Sequence, residues 1–134
     1  MKTYVLDASA LLAFLEKKPS APRVNELLKD AMRGRAQVLM SAVNYGEVYG
    51  TVLREYGPER AGGTMSVVSS LPITLVDATS TRALLAAGVK VKYKLYYADS
   101  FAAALCFEHK ATLVTSDSDF RKLGHSVPVM WLKP

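Results

Sequence analysis

Apolar residues recur along this chain at two different spacings, and the two alternate from one end to the other. Short apolar runs predict strands, whereas apolar positions three and four residues apart predict helices with one buried face. The predicted strands are 3–6, 37–40, 73–76, 112–114 and 127–131. The predicted helices are 9–16, 23–32, 41–56, 58–71, 79–89 and 98–109, with a short helix near Phe120.

This alternation predicts how the elements are arranged in space. Strands that are separated by helices are joined by right-handed crossovers, which make neighbouring strands parallel and place helices on both faces of the sheet. We therefore expect an α/β fold of three layers, α/β/α, with a central and mainly parallel sheet. In such folds, ligands bind beyond the carboxyl ends of the strands.

The length and composition favour a single domain. A chain of 134 residues, 50% of them hydrophobic, can bury one core but is too short for two ordinary domains, so we expect one domain spanning 1–134. Cys106, the only cysteine, lies in an apolar run and predicts a buried thiol in a reducing compartment. The sequence shows no signal peptide or apolar stretch long enough to cross a membrane, which favours a cytoplasmic protein without membrane contact.

Three aspartates lie where the predicted fold would place a ligand. Asp7 ends the first strand, Asp117 follows the strand 112–114, and Asp99 begins an apolar helix. Each is open to a second interpretation, because aspartate commonly caps a helix by accepting a backbone N–H of the first turn. Asp119 is an alternative to Asp117. We favour Asp117, because Asp117 lies nearer the end of the strand.

Glu47 cannot be explained as a cap, because it lies inside the predicted helix 41–56. It follows Val43 by four residues and precedes Val48, which predicts a position on or next to the buried face. An unpaired carboxylate there costs several kcal/mol, so we expect a cation, a hydrogen-bonding partner or an opening to water. The alternative is a neighbouring arginine or tyrosine.

Together these acids predict a site for a hard divalent cation. Carboxylate oxygens are the ligands that Mg²⁺ and Mn²⁺ prefer, and no cluster of cysteine and histidine competes for a softer metal. The predicted metal ligands are Asp7, Glu47, Asp99, Asp117 and Asp119. Polar residues within two or three positions of the acids are expected to orient them, unless they serve only as ordinary caps. These residues are Ser9, Asn44 and Thr115.

The charge of the chain adds a possible partner. The formal net charge of +5 favours polyanions but does not require them. Lys90, Lys92 and Lys94 alternate with apolar and tyrosine residues directly before Asp99, an arrangement that suits phosphates and stacked bases. We predict that these lysines bind RNA. The alternative is a solvated loop or helix end whose tyrosines pack on the core.

At this point the sequence resembles the PIN-domain family, and within it the VapC-type toxins of toxin–antitoxin pairs. Four short motifs in the right order carry the resemblance: VLDASALL at 5–12, Asn44 with Glu47, YADS at 97–100, and LVTSDSDF at 113–120. The basic run before Asp99 is not part of the family motif.

The resemblance implies a function for the acidic pocket. It implies a parallel sheet, one or two Mg²⁺ or Mn²⁺ ions, and endoribonuclease activity. It also implies a homodimer that is inhibited by a cognate antitoxin. The catalytic residues that match the family pattern are Asp7, Glu47, Asp99 and Asp117.

Two other functions are weighed against this one. An aspartyl-phosphate phosphatase would be expected to have a second aspartate two residues after Asp7, where this chain has Ser9, and a receiver domain would be expected to have an acidic pair near its first strand. A catalytically silent PIN-like scaffold that binds RNA or protein predicts the loss of one or more acids. All four are present, which favours the nuclease.

Overall fold

The predicted sheet is present and all its strands are parallel. In a computed structural model, which describes residues 1–133, five strands pair in the order β3-β2-β1-β4-β5. Each neighbouring pair is parallel. The strands are β1 Lys2–Leu6, β2 Ala36–Ser41, β3 Thr74–Val76, β4 Thr112–Thr115 and β5 Val129–Trp131. The predicted end of the domain, Pro134, lies outside the described residues.

Helices cover both faces of the sheet, which confirms the three-layer prediction. They are α1 Ala8–Leu15, α2 Ala21–Met32, α3 Ala42–Tyr56, α4 Pro58–Ser69, α5 Ser80–Tyr93 and α6 Tyr97–His109, followed by a 3-10 helix, Ser118–Leu123. Most bounds lie within two residues of the prediction. The exception is α5, which ends four residues later than expected, because Val89 and Tyr93 lie one turn apart and both pack against the core.

Successive residues of the central strand pack on opposite sides of the sheet. Val5 contacts the α6 side, and Leu6 contacts the side covered by α1 and α2. Residues 100–106 of α6 are all buried, so this helix forms much of one core. Cys106 lies there as predicted, and burial raises the pKa of its thiol to about 12. The thiol therefore stays protonated and packs as a small apolar group.

The central strands bring two loops together at one edge of the sheet. Leu6 pairs with Val114, and the backbone N–H of Asp7 donates to the carbonyl of Val114 at 3.3 Å. The residues that follow β1 and β4 therefore meet at the carboxyl edge. None of the helices in residues 1–133 has the length and apolar character needed to cross a membrane.

Candidate metal centre

Asp7 lies at the centre of the carboxyl edge and is only 4% exposed. Its Oδ1 accepts from the Ala10 N–H at 2.9 Å and from the Ser9 hydroxyl at 2.7 Å, and its Oδ2 accepts from the Thr115 hydroxyl at 2.6 Å. Burial raises the pKa of Asp7 from 3.8 to about 6, although these hydrogen bonds oppose the shift. Asp7 is therefore a helix cap, as the alternative interpretation held, and also a buried acid beside other carboxylates.

The two predicted hydroxyl residues next to Asp7 join the loops after β1 and β4. The Ser9 hydroxyl accepts from the backbone N–H of Ser116 at 3.0 Å, and the Thr115 hydroxyl accepts from that of Asp117 at 2.9 Å. Each hydroxyl also donates to Asp7. This network fixes the position of Asp7 relative to the loop that carries Asp117, which is the geometry expected of residues that orient ligands.

A second group of acids lies beside Asp7. Asp99, Asp117 and Asp119 each offer one carboxylate oxygen, and these three oxygens lie within 4.8 Å of one another. We call these three residues the acidic cluster. All three are partly exposed, so they can be reached from solvent. Asp117 and Asp119 both belong to the cluster, and our preference for Asp117 has no support in this geometry.

Asp99 does not cap a helix. The N-cap of α6 is Tyr96, and Asp99 is the third residue of the helix, where its side chain accepts no hydrogen bond from any described residue. Burial raises the pKa of Asp99 from 3.8 to about 7, and the charges of Asp117, Glu47, Asp7 and Asp119 add to the shift. The other four predicted acids therefore all act electrostatically on Asp99.

Glu47 is exposed, so it lies next to the buried face of α3 and not on it. The buried positions of this helix are Asn44, Val48 and Val52. Glu47 precedes Val48 by one residue, which turns it by about 100° from that face. Its described partner is Asn44, whose side-chain N–H donates to Glu47 Oε1 at 2.9 Å, and the expected alternative of an arginine or tyrosine partner is not found among residues 1–133.

Asn44 links Glu47 to the helix that carries Asp99. It is 1% exposed, and its side-chain nitrogen also donates to the carbonyl of Ala98 at 3.1 Å. It is not a cap, because Ser41 caps α3. Its buried Oδ1 has no hydrogen-bond donor within the described part of the chain, which leaves one acceptor at the edge of the site.

The donor atoms fit a hard divalent cation. They are carboxylate oxygens, and Mg²⁺ typically binds one or two carboxylates together with water and phosphate oxygens. Softer ligands are absent from the described cluster: Cys106 is buried in the core, and His109 lies against Glu108 at 2.9 Å. Three carboxylates this close repel one another, and a bound cation would offset that repulsion.

The sequence of this chain also matches a known protein family. Residues 4–126 match the family profile of the PIN domain. The chain belongs to the PIN-domain family. No curated protein sequence matches it closely enough to count as a relative.

Solved structures share the fold of this PIN domain at low sequence identity. A chain of the VapBC2 complex of Rickettsia felis has a TM-score of 0.75 and 15% identity, with 97% of this chain and 98% of that chain covered. VapC20 of Mycobacterium tuberculosis has a TM-score of 0.72 and 16% identity, with coverages of 90% and 95%. PAE2754 of Pyrobaculum aerophilum has a TM-score of 0.67 and 19% identity, with coverages of 96% and 90%.

The predicted lysines of this PIN domain do not share one surface. Because α5 continues to Tyr93, Lys90 and Lys92 point in different directions around a helix. Lys90 and Lys94 line a pocket together with Lys122, which the sequence analysis missed. Lys92 lies over the ring of Tyr93, 5.4 Å from its centroid, in a separate groove.

Proposed function

We propose that this PIN domain is a metal-dependent endoribonuclease that cleaves phosphodiester bonds in RNA, and that it is the toxin of a VapBC-type pair. The observation that carries the proposal is the acidic cluster of Asp99, Asp117 and Asp119 beside the buried Asp7. The cluster lies at the carboxyl edge of a parallel sheet, where such folds bind ligands. One or two Mg²⁺ or Mn²⁺ ions are its expected cofactors.

Some residues of the site would bind the ion, and others position the acids that bind it. When bound, a divalent cation activates water for attack and neutralises charge on the scissile phosphate. Asp99, Asp117 and Asp119 offer the converging oxygens that would hold it. Asp7 and the exposed Glu47 add negative charge beside them.

Residues outside this group keep the acids in place. Ser9 and Thr115 hold the Asp7 carboxylate through both of its oxygens. Asn44 ties Glu47 to the start of α6. Cys106 is excluded as a nucleophile, because its thiol is buried in the core and stays protonated. The site therefore needs no covalent nucleophile.

The partners follow from the same proposal. The Rickettsia felis structure is a VapBC2 complex, and a similar structure from Klebsiella pneumoniae is a toxin–antitoxin complex. By analogy, we propose a cognate antitoxin and a homodimer for this chain, in the cytoplasm. Exposed apolar side chains on α5 and α6, including Leu84, Leu85 and Phe107, offer surface for such contacts.

Digestion of RNA with and without EDTA tests the proposed activity. We expect the wild type to cleave single-stranded or looped RNA in Mg²⁺ or Mn²⁺ and to stop in EDTA. Asp99→Asn should abolish cleavage, because it removes a ligand charge with almost no change in volume. Asp77→Asn, an exposed aspartate outside the site, is the matched control and should cleave normally. Full activity in EDTA would rule out the metal mechanism.

A further inference from the structure

A basic pocket lies next to the acidic cluster. It has a volume of about 470 Å³ and is formed by the end of α5, the turn into α6 and the 3-10 helix. Its lining residues are Lys90, Val91, Lys94, Leu95, Tyr96 and Lys122. Three of the six are lysines and none is acidic, so the pocket carries a concentrated positive charge.

Local geometry brings the three lysines together. Lys90 lies in the last turn of α5 and Lys94 caps the end of this helix, and both line the pocket. Lys94 adopts a left-handed backbone conformation with φ 58°, which ends the helix. The ammonium of Lys122 donates to the backbone carbonyl of Lys94 at 3.1 Å. This bond holds the ammonium of Lys122 at the end of α5, where Lys90 and Lys94 also line the pocket.

The pocket and the acidic cluster share two structural elements. Tyr96 lines the pocket and is the N-cap of α6, and Asp99 follows it by three residues. Lys122 follows Asp119 by three residues on the same 3-10 helix. Three residues, which rise about 4.5 Å along an α-helix and about 6 Å along a 3-10 helix, therefore separate the pocket residue from the acid on each element.

Tyr96, which lines the pocket and precedes Asp99 by three residues, has an exposed aromatic ring. Its residue is 72% exposed, although aromatic side chains usually gain stability by burial. An exposed aromatic ring beside a cluster of lysines is the arrangement that binds single-stranded nucleic acid, because the ring stacks on a base while the ammonium groups contact the backbone.

We propose that this basic pocket binds a backbone phosphate of single-stranded RNA next to the phosphate at the acidic cluster, and that Tyr96 stacks on the adjoining base. The proposal rests on the nuclease function proposed above and identifies how its substrate is held. The acidic cluster repels a polyanion, so three ammonium groups one helical turn away supply the attraction that loading requires. The RNA-binding set is then Lys90, Lys94 and Lys122, without Lys92.

Lys92 provides a matched control on the same helix. It carries the same charge as Lys90, but it faces a groove lined by apolar residues such as Leu84, Leu85 and Phe107. Substitution of Lys92 by glutamine changes the net charge as much as a single substitution in the pocket. If the pocket is specific, substitution of Lys90 should reduce the salt dependence of RNA binding and substitution of Lys92 should not. If RNA binds to a diffuse positive surface, the two substitutions should have the same effect.

The experiment is the salt dependence of binding to a fluorescein-labelled oligouridylate, measured by anisotropy in EDTA so that no metal-dependent cleavage occurs. Each phosphate neutralised on a single strand contributes about 0.7 to the slope of log K against log salt, so loss of the one phosphate contact in K90Q/K94Q/K122Q should flatten the slope by about 0.7. K92Q should leave the slope unchanged. An unchanged slope in the triple variant, or an equal loss per charge in K92Q, would overturn the pocket.

A second pair of variants tests the aromatic ring. Tyr96→Ala should weaken binding on the order of tenfold through lost stacking, and Tyr96→Phe should restore it. Equal binding by Tyr96→Ala and the wild type would remove Tyr96 from the proposal. The tyrosine is largely exposed, so thermal melting should show an unchanged fold in both variants.

The outcomes also separate this proposal from the nuclease assignment. If the protein cleaved RNA normally with metal, but the salt dependence of binding did not change when the three lysines were replaced, the proposed pocket alone would be wrong. A slope that depends on the three lysines, in a protein that cleaves no RNA with Mn²⁺, would overturn the nuclease and leave the binding site standing.

Discussion

Asp99→Asn should make the metal-free protein more stable at neutral and alkaline pH. Burial and four neighbouring carboxylates raise the pKa of Asp99 to about 7 from 3.8. An acid whose pKa is raised on folding favours the native state only while it is protonated. Its contribution is full below pH 4 and is lost as the pH rises through about 7. The asparagine side chain avoids this loss because it does not ionise.

The size of the effect follows from the same shift. The rise in the pKa of Asp99 from 3.8 to about 7 corresponds to about 4 kcal/mol as an upper bound. Asp99 is partly open to solvent, and screening reduces this to about 1 to 2 kcal/mol. For a domain of this size, that gain is a rise of about 3 to 8 °C in melting temperature. The substitution removes no hydrogen bond between the Asp99 side chain and the described residues, so no loss opposes the gain.

Thermal melting in EDTA at a pH of about 8 and at about 4.5 measures this prediction. Asp99→Asn should melt above the wild type at the higher pH, and the difference should shrink towards zero at the lower pH. Asp77→Asn should track the wild type at both. If Asp99→Asn melted below the wild type at pH of about 8, or if the difference did not depend on pH, burial and the neighbouring carboxylates would not raise the pKa of Asp99 and this reasoning would be wrong.

Three further results are expected. Millimolar Mn²⁺ should raise the melting temperature of the wild type and raise that of Asp99→Asn much less, because a cation at a hundredfold excess over its dissociation constant adds about 2.7 kcal/mol to the free energy of unfolding. Equal shifts in both proteins would place the ion elsewhere. Thr115→Val should lower the free energy of unfolding by about 1 to 3 kcal/mol and reduce cleavage, since it removes a donor to Asp7 and an acceptor for the Asp117 N–H; a denaturant titration that showed no loss would exclude this network as a support. Asn44→Ala should also lower stability, by about 0.5 to 1.5 kcal/mol, because it removes the hydrogen bonds that Asn44 donates to Glu47 and to the carbonyl of Ala98. Unchanged melting would show that neither bond contributes to stability.

The sequence was sufficient to predict the architecture and the meeting of the acids. Hydrophobic period separates strands from helices over most of the chain, and parallel strands carry the residues that follow them to a common edge. Asp7 and Asp117 therefore come together without knowledge of any contact. The family motifs pointed to the same residues.

Glu47 shows the limit of helical periodicity, which leaves open whether this residue lies on or next to the buried face of α3. Of the two residues that define the predicted face, Val48 is buried but Val43 is only half-buried, and the buried face runs through Asn44, Val48 and Val52. An error of one position turns a residue by about 100°, and a polar residue such as Asn44 gives no sign that it is buried. Its burial depends on hydrogen bonds to Ala98 and Glu47, which are set by the packing of α3 on α6.

The sequence does not separate Lys92 from Lys90 and Lys94, because the sequence of their segment fits two structures. Val89, Val91 and Tyr93 are apolar at every second position, as in a strand, but Val89 and Tyr93 are also four apart, as in a helix. Tertiary packing decides between them: Val89 and Tyr93 contact the core, and Val91 is 78% exposed. Lys122 could not be connected to this segment, because only the folded chain places it against Lys94.

The most direct test of the central claim is to measure Mn²⁺ binding and RNA cleavage on the same protein over one range of Mn²⁺ concentrations. If the acidic cluster holds the ion that supports cleavage, both should rise together in the wild type, and Asp99→Asn should lose both while Asp77→Asn keeps both. Cleavage that proceeds without Mn²⁺ or Mg²⁺, or that survives in Asp99→Asn, would contradict the claim.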